Sequence, residues 1–374
     1  MKKTFKYRIY ADKETLSKAV HWLTLCRHLY NAGLEQRITV HRQNKGHISC
    51  YDQIKQLPEL KVSFPEYSDV GSQVLQEVLE RLDKAYDGFF RRVKHGGKVG
   101  FPRFKGRDRY DSFTLKQAGW KLDGKYLSIS KVGRFKLRLS REIKGNIKTV
   151  TIRRESSGKW YACFSCDSVP EKRLPESDVQ IGLDVGIKSF LVDSEGSKVD
   201  NPQYLRHSER ILRRRQRKLS RRVKGSNSRR QARVLVAKSH DKVRSQRNDF
   251  LHKLANQYVS KYGTIYIEDL NIKGMVRNKH LSKSISDSSW GKFFELLTYK
   301  AEEAGRKVIK VSPNNTSQIC SECGEKVEKS LAVRTHRCPY CGLVLDRDEN
   351  AARNILQVGQ TYQELTWQNT ACVS

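Results

Sequence analysis

Residues 3–10 (Lys-Thr-Phe-Lys-Tyr-Arg-Ile-Tyr) alternate apolar and polar side chains, the period-two signature of a half-buried strand. The period then lengthens. From about residue 14 to 43, Ala19, Leu23, Cys26 and Tyr30 recur at helical spacing. After a polar break, Leu75, Val78, Leu82, Ala85, Tyr86 and Phe89 form a cleaner stripe with Ser72 as its expected N-cap. Residues 11–95 therefore read as a helical unit. Short strands punctuated by Gly and Pro return between about 96 and 180, as in residues 98–105 and 148–154. A strand, a helical insertion and further strands in that order predict one small barrel interrupted by helices.

A second pattern begins near residue 178. Strands are expected over 179–199, a very polar helical stretch over 206–261, a strand over 264–270 and a helix over 288–304 with Trp290, Phe294 and Leu297 on one face. A last strand follows at 307–311. Alternating strands and helices predict an α/β sheet. No internal repeat is visible.

Two of these strands end on acids. Ile-Gly-Leu-Asp-Val-Gly closes on Asp184 and Ile-Tyr-Ile-Glu-Asp-Leu on Glu268, and a third acid, Asp348, stands in Asp-Arg-Asp-Glu-Asn-Ala-Ala. An apolar, β-branched run closing on a carboxylate is how a buried central strand delivers an acid to a sheet edge. Carboxylates gathered there suit Mg²⁺, and two such ions about 3.5–4 Å apart activate water and stabilise the leaving oxygen of a phosphodiester. Two of the acids also have an ordinary reading: Asp184 as a strand-end turn cap, Asp348 as a helix N-cap. Alternation alone leaves Glu268 and Asp269 open, and likewise Asp346 and Asp348.

Charge narrows the substrate. Lys and Arg total 73 against 40 Asp and Glu, and a net +33 opposes compaction unless a polyanion neutralises it. Residues 206–247 hold 17 Lys/Arg and two acids, a local +15. Arg213, Arg214, Arg215, Arg217, Lys218, Arg221 and Arg222 surround a helix on nearly all sides, beyond what a solvated face requires, so nucleic acid is the expected partner. In 101–110, aromatic residues interleave with basic ones as stacking plates beside phosphate contacts, against an equally weighted reading as barrel core. Nothing approaches the roughly 18–20 consecutive apolar residues of a spanning helix, so no membrane partner is expected. The N-terminus has no apolar stretch behind its lysines, which is not an export signal, and the reducing cytosol is the expected home.

Nine cysteines are present. Cys320-x2-Cys323 and Cys338-x2-Cys341, separated by 14 residues and followed by Gly324 and Gly342, predict two tight knuckles that close a tetrahedral, structural Zn²⁺ site. His336 reads as a surface or nucleic-acid contact, with substitute ligand as the alternative. Cys163 and Cys166 lie in an alternating strand, where an i, i+3 pair points to opposite faces, and read as structural, as do Cys26, Cys50 and Cys372.

These residues resemble the TnpB family, transposon-encoded RNA-guided nucleases related to type V CRISPR effectors, over nearly the whole chain. The resemblance rests on Leu29-Tyr-Asn-Ala32, Gly100-Phe-Pro-Arg-Phe-Lys105, Gly182-Leu-Asp-Val-Gly186, Tyr266-Ile-Glu-Asp-Leu-Asn271, the stretch 312–320 and the stretch 346–355, joined by the cysteine pairs. It implies an α/β plus β architecture: a RuvC-type RNase H fold nuclease domain (179–316 and 346–374) with a zinc-ribbon insertion (317–345), preceded by a wedge β-barrel (1–10 and 96–178) carrying a helical recognition insertion (11–95). It selects Asp184, Glu268 over Asp269, and Asp348 over Asp346 as the Mg²⁺-binding catalytic triad. It also implies a guide RNA from the transposon end, target double-stranded DNA cut beside a short motif, no small-molecule substrate, and a bacterial or archaeal cytosolic, nucleoid-associated location. The competing expectations are a nuclease-inactive RNA-guided repressor, a basic zinc-containing RNA-binding protein without catalysis, and a DNA-joining transposase.

Overall fold

The computed structural model describes residues 1–330 and 333–371, the last eight as backbone only. Cys372 lies outside them. The chain divides into two compact units, Met1–Pro170 and Glu171–Ser374.

The first unit opens with β1 (Lys3–Tyr10), followed by α1 (Lys13–Asn44), the short α2 (Cys50–Lys55) and α3 (Leu57–Ser63), and α4 (Ser72–Lys94). Six strands follow: β2 (Ser112–Leu115), β3 (Trp120–Asp123), β4 (Tyr126–Ile129), β5 (Gly133–Arg138), β6 (Asn146–Arg154) and β7 (Trp160–Asp167). All seven strands form one antiparallel sheet in the order β2-β6-β7-β1-β5-β4-β3. Among the described residues no ladder joins β2 to β3, so the sheet is a half-barrel rather than a closed one. Phe5, Tyr7 and Ile9 of β1 are buried in the same core as Trp22, Cys26 and Leu34 of α1 and Leu75, Leu79 and Leu82 of α4.

Two expectations are corrected here, and an open one is divided. Gly71, not Ser72, is the N-cap of α4, and the Ser72 hydroxyl accepts from Lys61 at 2.7 Å. Residues 98–105 form an irregular loop, because Pro102 lacks a ladder donor and glycines interrupt the run. The aromatic residues of 101–110 divide between their two readings: Tyr110 is buried in the core, whereas Phe101 and Phe104 are about half exposed (47% and 51%).

The second unit contains β8 (Gln180–Val185), β9 (Ser189–Asp193), β10 (Lys198–Asp200), α5 (Tyr204–Ser220), α6 (Asn227–Lys261), β11 (Thr264–Glu268), α7 (Ile272–Met275), α8 (Ser282–Ser288), α9 (Trp290–Ala304) and β12 (Lys307–Val311). A small hairpin, β13 (Thr335–Arg337) and β14 (Val344–Asp346), leads directly into α10 (Arg347–Ala371). The five-stranded sheet runs β10-β9-β8-β11-β12, with β8, β11 and β12 parallel and β9 and β10 antiparallel to their neighbours. The polar stretch expected as one helix is two, broken at residues 221–226 around Gly225.

The sheet buries opposite faces under different helices. Ile181, Leu183, Ile265 and Ile267 share a core with α6 and α9, whereas Tyr266 and Val311 pack with Ile355 of α10. Glycine allows α10 to come close. A Cβ on Gly182 would meet the Ala352 carbonyl oxygen at 2.2 Å, and one on Gly359 would meet the Tyr266 ring at 2.0 Å. The first clash is with backbone and has no soft escape. We therefore expect Gly182→Ala to cost roughly 3 kcal/mol or more, the upper end for overpacking. Thermal unfolding monitored by circular dichroism checks this, with Gly106→Ala, which meets nothing within 4 Å, as the silent control.

Candidate active site and metal centre

Strand phase decides which acids meet. Leu183 and Ile267 are paired across the parallel β8–β11 ladder, so the next residues, Asp184 and Glu268, stand side by side at the carboxyl ends of adjacent strands. Both fall on the face shared with Gly182 and Tyr266, the face that α10 covers. The carboxyl edge of a parallel sheet is where open α/β folds bind ligands. Asp269 has the opposite phase: it is exposed and pairs with Lys310 at 2.9 Å.

The start of α10 separates the other two acids. Asp346 caps the helix, its Oδ1 accepting the N–H of Asp348 at 2.9 Å, while its Oδ2 pairs with Lys198 at 2.6 Å. The cap role expected for Asp348 thus belongs to Asp346. Asp348 instead has an Oδ2 at 4.0 Å from where a Gly186 Cβ would sit, two residues beyond Asp184. Its Oδ1 accepts from Arg347 at 3.0 and 3.2 Å, with Arg334 at 3.7 Å.

The electrostatics are those of gathered acids. Burial raises the Asp184 carboxyl well above the usual aspartate range, and the charges of Glu268 and Asp348 push it further against a weaker opposing pull from Arg347. Burial likewise raises Glu268, although Thr316 donates its hydroxyl to Oε1 at 2.6 Å and favours the ionised form. Carboxylates held together at this cost fit a hard divalent cation, whose charge removes the repulsion. The three are near neighbours but do not converge on a point: among the described residues, the cysteines alone form a set of three or more potential ligands whose atoms all lie within 4.8 Å.

That set is Cys320, Cys323, Cys338 and Cys341. The sulfurs of Cys320 and Cys341 are 3.6 Å apart and those of Cys323 and Cys338 3.5 Å, close to the roughly 3.8 Å edge of a tetrahedron with Zn–S bonds of about 2.3 Å. Each knuckle turns on a glycine in the left-handed region, Gly324 and Gly342 both at φ 77°, whose N–H donates to the carbonyl of Cys320 or Cys338 at 3.0 Å. A soft, closed four-thiolate set fits structural zinc. His336, expected at the surface, is fully buried in β13 beside Lys329 and is not one of the four. Cys163 and Cys166 are free cysteines of β7, half-buried and buried, and Cys26 and Cys50 are likewise free.

Several functional contacts escaped the sequence reading. Asn350 accepts the Ser321 N–H at 3.0 Å and donates to the Ile319 carbonyl at 2.7 Å, while Asn354 donates to the carbonyls of Thr316 and Ile319 at 2.8 and 2.7 Å. Gln357 reaches the Ser321 carbonyl at 2.8 Å. One face of α10 thus clamps the segment that carries both Thr316 and the first zinc ligand. The available signal was a row of amides at positions 350, 354 and 357, one helical face, inside an otherwise apolar stripe.

The basic run also divides. Arg213, Arg214, Arg217, Lys218, Arg221 and Arg222 are all exposed. Arg215 is not: it fastens α5 to α6 through the Leu235 carbonyl at 3.1 Å and the Ser239 hydroxyl at 2.6 Å. Leu212 is buried on the same helix, so α5 is charged on most of its circumference but not on all of it.

Three protein families match the chain: one described as "Cas12f1-like, TNB domain" over residues 290–355, one as "Probable transposase" over 163–279 and one as "Helix-turn-helix domain" over 1–46. In this chain residues 1–46 contain a strand and a single 32-residue helix. A protein of Streptomyces pristinaespiralis, named as a candidate RNA-guided DNA endonuclease, is 32% identical over 368 residues, spanning 96% of this chain and 90% of its own. InsQ of Escherichia coli K12, named in the same way, is 31% identical over 95% of this chain and 92% of its own. The CRISPR-associated endodeoxyribonuclease Cas12f1 of Sulfoacidibacillus thermotolerans is 30% identical over 54% of this chain and half of its own. Among solved structures, a Cas12f1–sgRNA–target DNA complex covers 95% of this chain and 99% of its own at 18% identity and TM-score 0.38. The RNA-guided endonuclease CRISPR-Cas_phi3 covers 96% and 92% at 12% identity and TM-score 0.48.

Proposed function

The chain belongs to the TnpB family of RNA-guided DNA endonucleases, and from that premise we propose that it cuts DNA chosen by pairing with a bound guide RNA, using the acids at the edge of its second sheet. The observation that carries the reading is the placing of Asp184 and Glu268 side by side at the carboxyl edge of the second sheet, with Asp348 of α10 near enough to raise Asp184 further. A strand order of β10-β9-β8-β11-β12, with the first acid on the central strand, supports a RuvC-type RNase H assignment for this unit.

In this reading Asp184, Glu268 and Asp348 hold Mg²⁺, which when bound lowers the pKa of water and stabilises charge on the leaving oxygen. The chain's own groups supply the rest. Thr316 orients Glu268, the Asp346 cap fixes the first turn of α10 that carries Asp348, and Arg347 neutralises Asp348 from the flank. The exposed basic row of α5 (Arg213, Arg214, Arg217 and Lys218), continued by Arg221 and Arg222 just past its end, supports backbone contacts with nucleic acid that carry no sequence information. Sequence choice is then left to base pairing, with protein groups reading a short target-adjacent motif. Zinc on the four cysteines holds the ribbon from which α10 starts.

The test is to purify the chain from a cell carrying its own flanking DNA, sequence the RNA that accompanies it, and offer plasmid targets matching the 3′ end of that RNA in Mg²⁺. Cutting that moves with a reprogrammed guide is the expected result. Cutting that ignores the guide, or no discrete RNA, overturns the proposal.

A further inference from the structure

The first unit exposes a group of aromatic side chains beyond the edge of its core, where the half-buried Tyr86 is the last to pack against it. Buried positions on α4 stop at Leu82, yet the apolar stripe continues for three more turns as Tyr86, Phe89, Phe90 and Val93. Phe101, from the loop after the helix, packs edge-on against this extension, 5.5 Å from Tyr86 and 5.3 Å from Phe89, and Phe89 lies 5.1 Å from Phe90. Phe90 remains 59% exposed, Phe101 47% and Phe104 51%.

The loop is tied to both α1 and α4. Asn31 of α1 grips the backbone of Lys105 from both sides, accepting its N–H at 2.7 Å and donating to its carbonyl at 3.1 Å. Arg92 donates to the Gly100 carbonyl at 2.9 Å, and Pro102 is buried between Phe101 and Arg103, which are both exposed. Fixing a loop so that phenylalanines face water costs solvation and chain entropy unless something covers them, and a rigid surface binds with less ordering cost.

The surroundings identify the cover. Residues 90–109 contain eight Lys/Arg and one Asp, a local +7. A local +7 beside the rings calls for a partner of opposite charge, so a polyanion fits better than a second protein of ordinary charge. A duplex offers phosphates but no free base faces, whereas unpaired bases offer both a π-face for a ring and a phosphate for a cation. This unit does not carry the carboxylates of the candidate active site, so it suits a strand that is held rather than cut.

We propose that Phe90, Phe101 and Phe104, with the basic residues beside them, form a preorganised stacking platform for unpaired nucleotides of the bound RNA. The inference rests on the RNA-guided reading above and adds a place and a chemistry for one RNA contact. Stacking contributes on the order of 1–3 kcal/mol per base, so Phe104→Ala should weaken binding of a single-stranded oligouridylate to the RNA-stripped full chain by about 5- to 150-fold. Phe104→Trp should restore it. The slope of log affinity against log salt should stay unchanged in both, because no phosphate contact is lost. In the complex reconstituted with its own RNA and target DNA, a benzoylphenylalanine photocrosslinker substituted at Phe104 should join unpaired RNA nucleotides.

An affinity for oligouridylate that ignores the ring overturns the platform. So does a crosslink to paired RNA, to either DNA strand or to a second copy of the chain. Failure of the RNA-guided reading is seen separately, as wild-type protein that carries no discrete RNA or cuts regardless of guide, and leaves the oligouridylate comparison intact.

Discussion

We expect Asp184→Ala to abolish cutting of a guide-matched target while guide RNA and target remain bound. Removing one oxygen ligand from a divalent-cation site takes away several kcal/mol of charge stabilisation, so the single-turnover rate falls by at least about 10³-fold. Binding is spared because Asp184 lies at the strand edge among acids, where it repels phosphate rather than attracting it. Glu268→Gln should behave in the same way, and Asp269→Asn should cut at near the wild-type rate, since Asp269 is exposed and engaged with Lys310. Gel-shift and single-turnover cleavage assays on the four proteins separate the outcomes. Loss of target binding in Asp184→Ala, or equal loss of cutting in Asp269→Asn, would sink the assignment.

The same site sets a pH dependence. Burial and neighbouring carboxylates raise Asp184, and burial raises Glu268, so both retain protons to higher pH than ordinary carboxylates. A metal binds the ionised forms, and its binding therefore expels protons. At limiting Mg²⁺, cutting should fall on acidification while the pH is still above the ordinary carboxylate range. Saturating Mg²⁺ should move the midpoint of that fall to lower pH.

How much of this could be read from sequence turns on strand phase. In both Ile181-Gly-Leu183-Asp184 and Ile265-Tyr-Ile267-Glu268 the acid follows immediately after the second residue of a buried apolar row. Two parallel neighbours in register with that shared phase present those two acids on one face, which puts Glu268 rather than Asp269 on the face of Asp184. What the alternation lacked was the knowledge that these strands are adjacent and in register, which is a tertiary fact. Asp346 and Asp348 were harder. They lie where a strand becomes a helix, and which acid caps is decided by the last hairpin residue, not by either period.

Other misreadings have equally local causes. Residues 98–105 carry aromatic residues at strand-like spacing, yet Pro102 and three glycines at 96, 97 and 100 leave the loop to be shaped by Asn31 and Arg92 instead of a ladder. Arg215 was grouped with its exposed neighbours because charge density says nothing about which member of a run turns inward. It bonds a carbonyl and a hydroxyl of α6 that no helical-wheel argument on α5 can supply.

Zinc removal gives the second large effect, and its reach extends beyond the ribbon. The thiolates close a site whose ion contributes on the order of 10 kcal/mol to folding of such an insert, so Cys338→Ser should lower bound zinc to well below one per chain by elemental analysis. The consequence passes along the backbone: β13 pairs with β14, β14 ends on Asp346, and Asp346 caps the helix that carries Asp348 two residues later. From the other side, Asn350, Asn354 and Gln357 hold the segment 316–321, which contains both Cys320 and the Thr316 that donates to Glu268. Without the ion, both tethers loosen and two of the three acids lose their supports. Cys338→Ser should therefore reduce cutting by about 10²-fold or more, the scale expected when a catalytic group shifts by about an ångström, while the first unit melts as in wild type. Zinc content unchanged by Cys338→Ser excludes the four-thiolate site. Zinc lost with cutting retained excludes the tether, because it would mean that the position of Asp348 is set by α10 and the sheet alone.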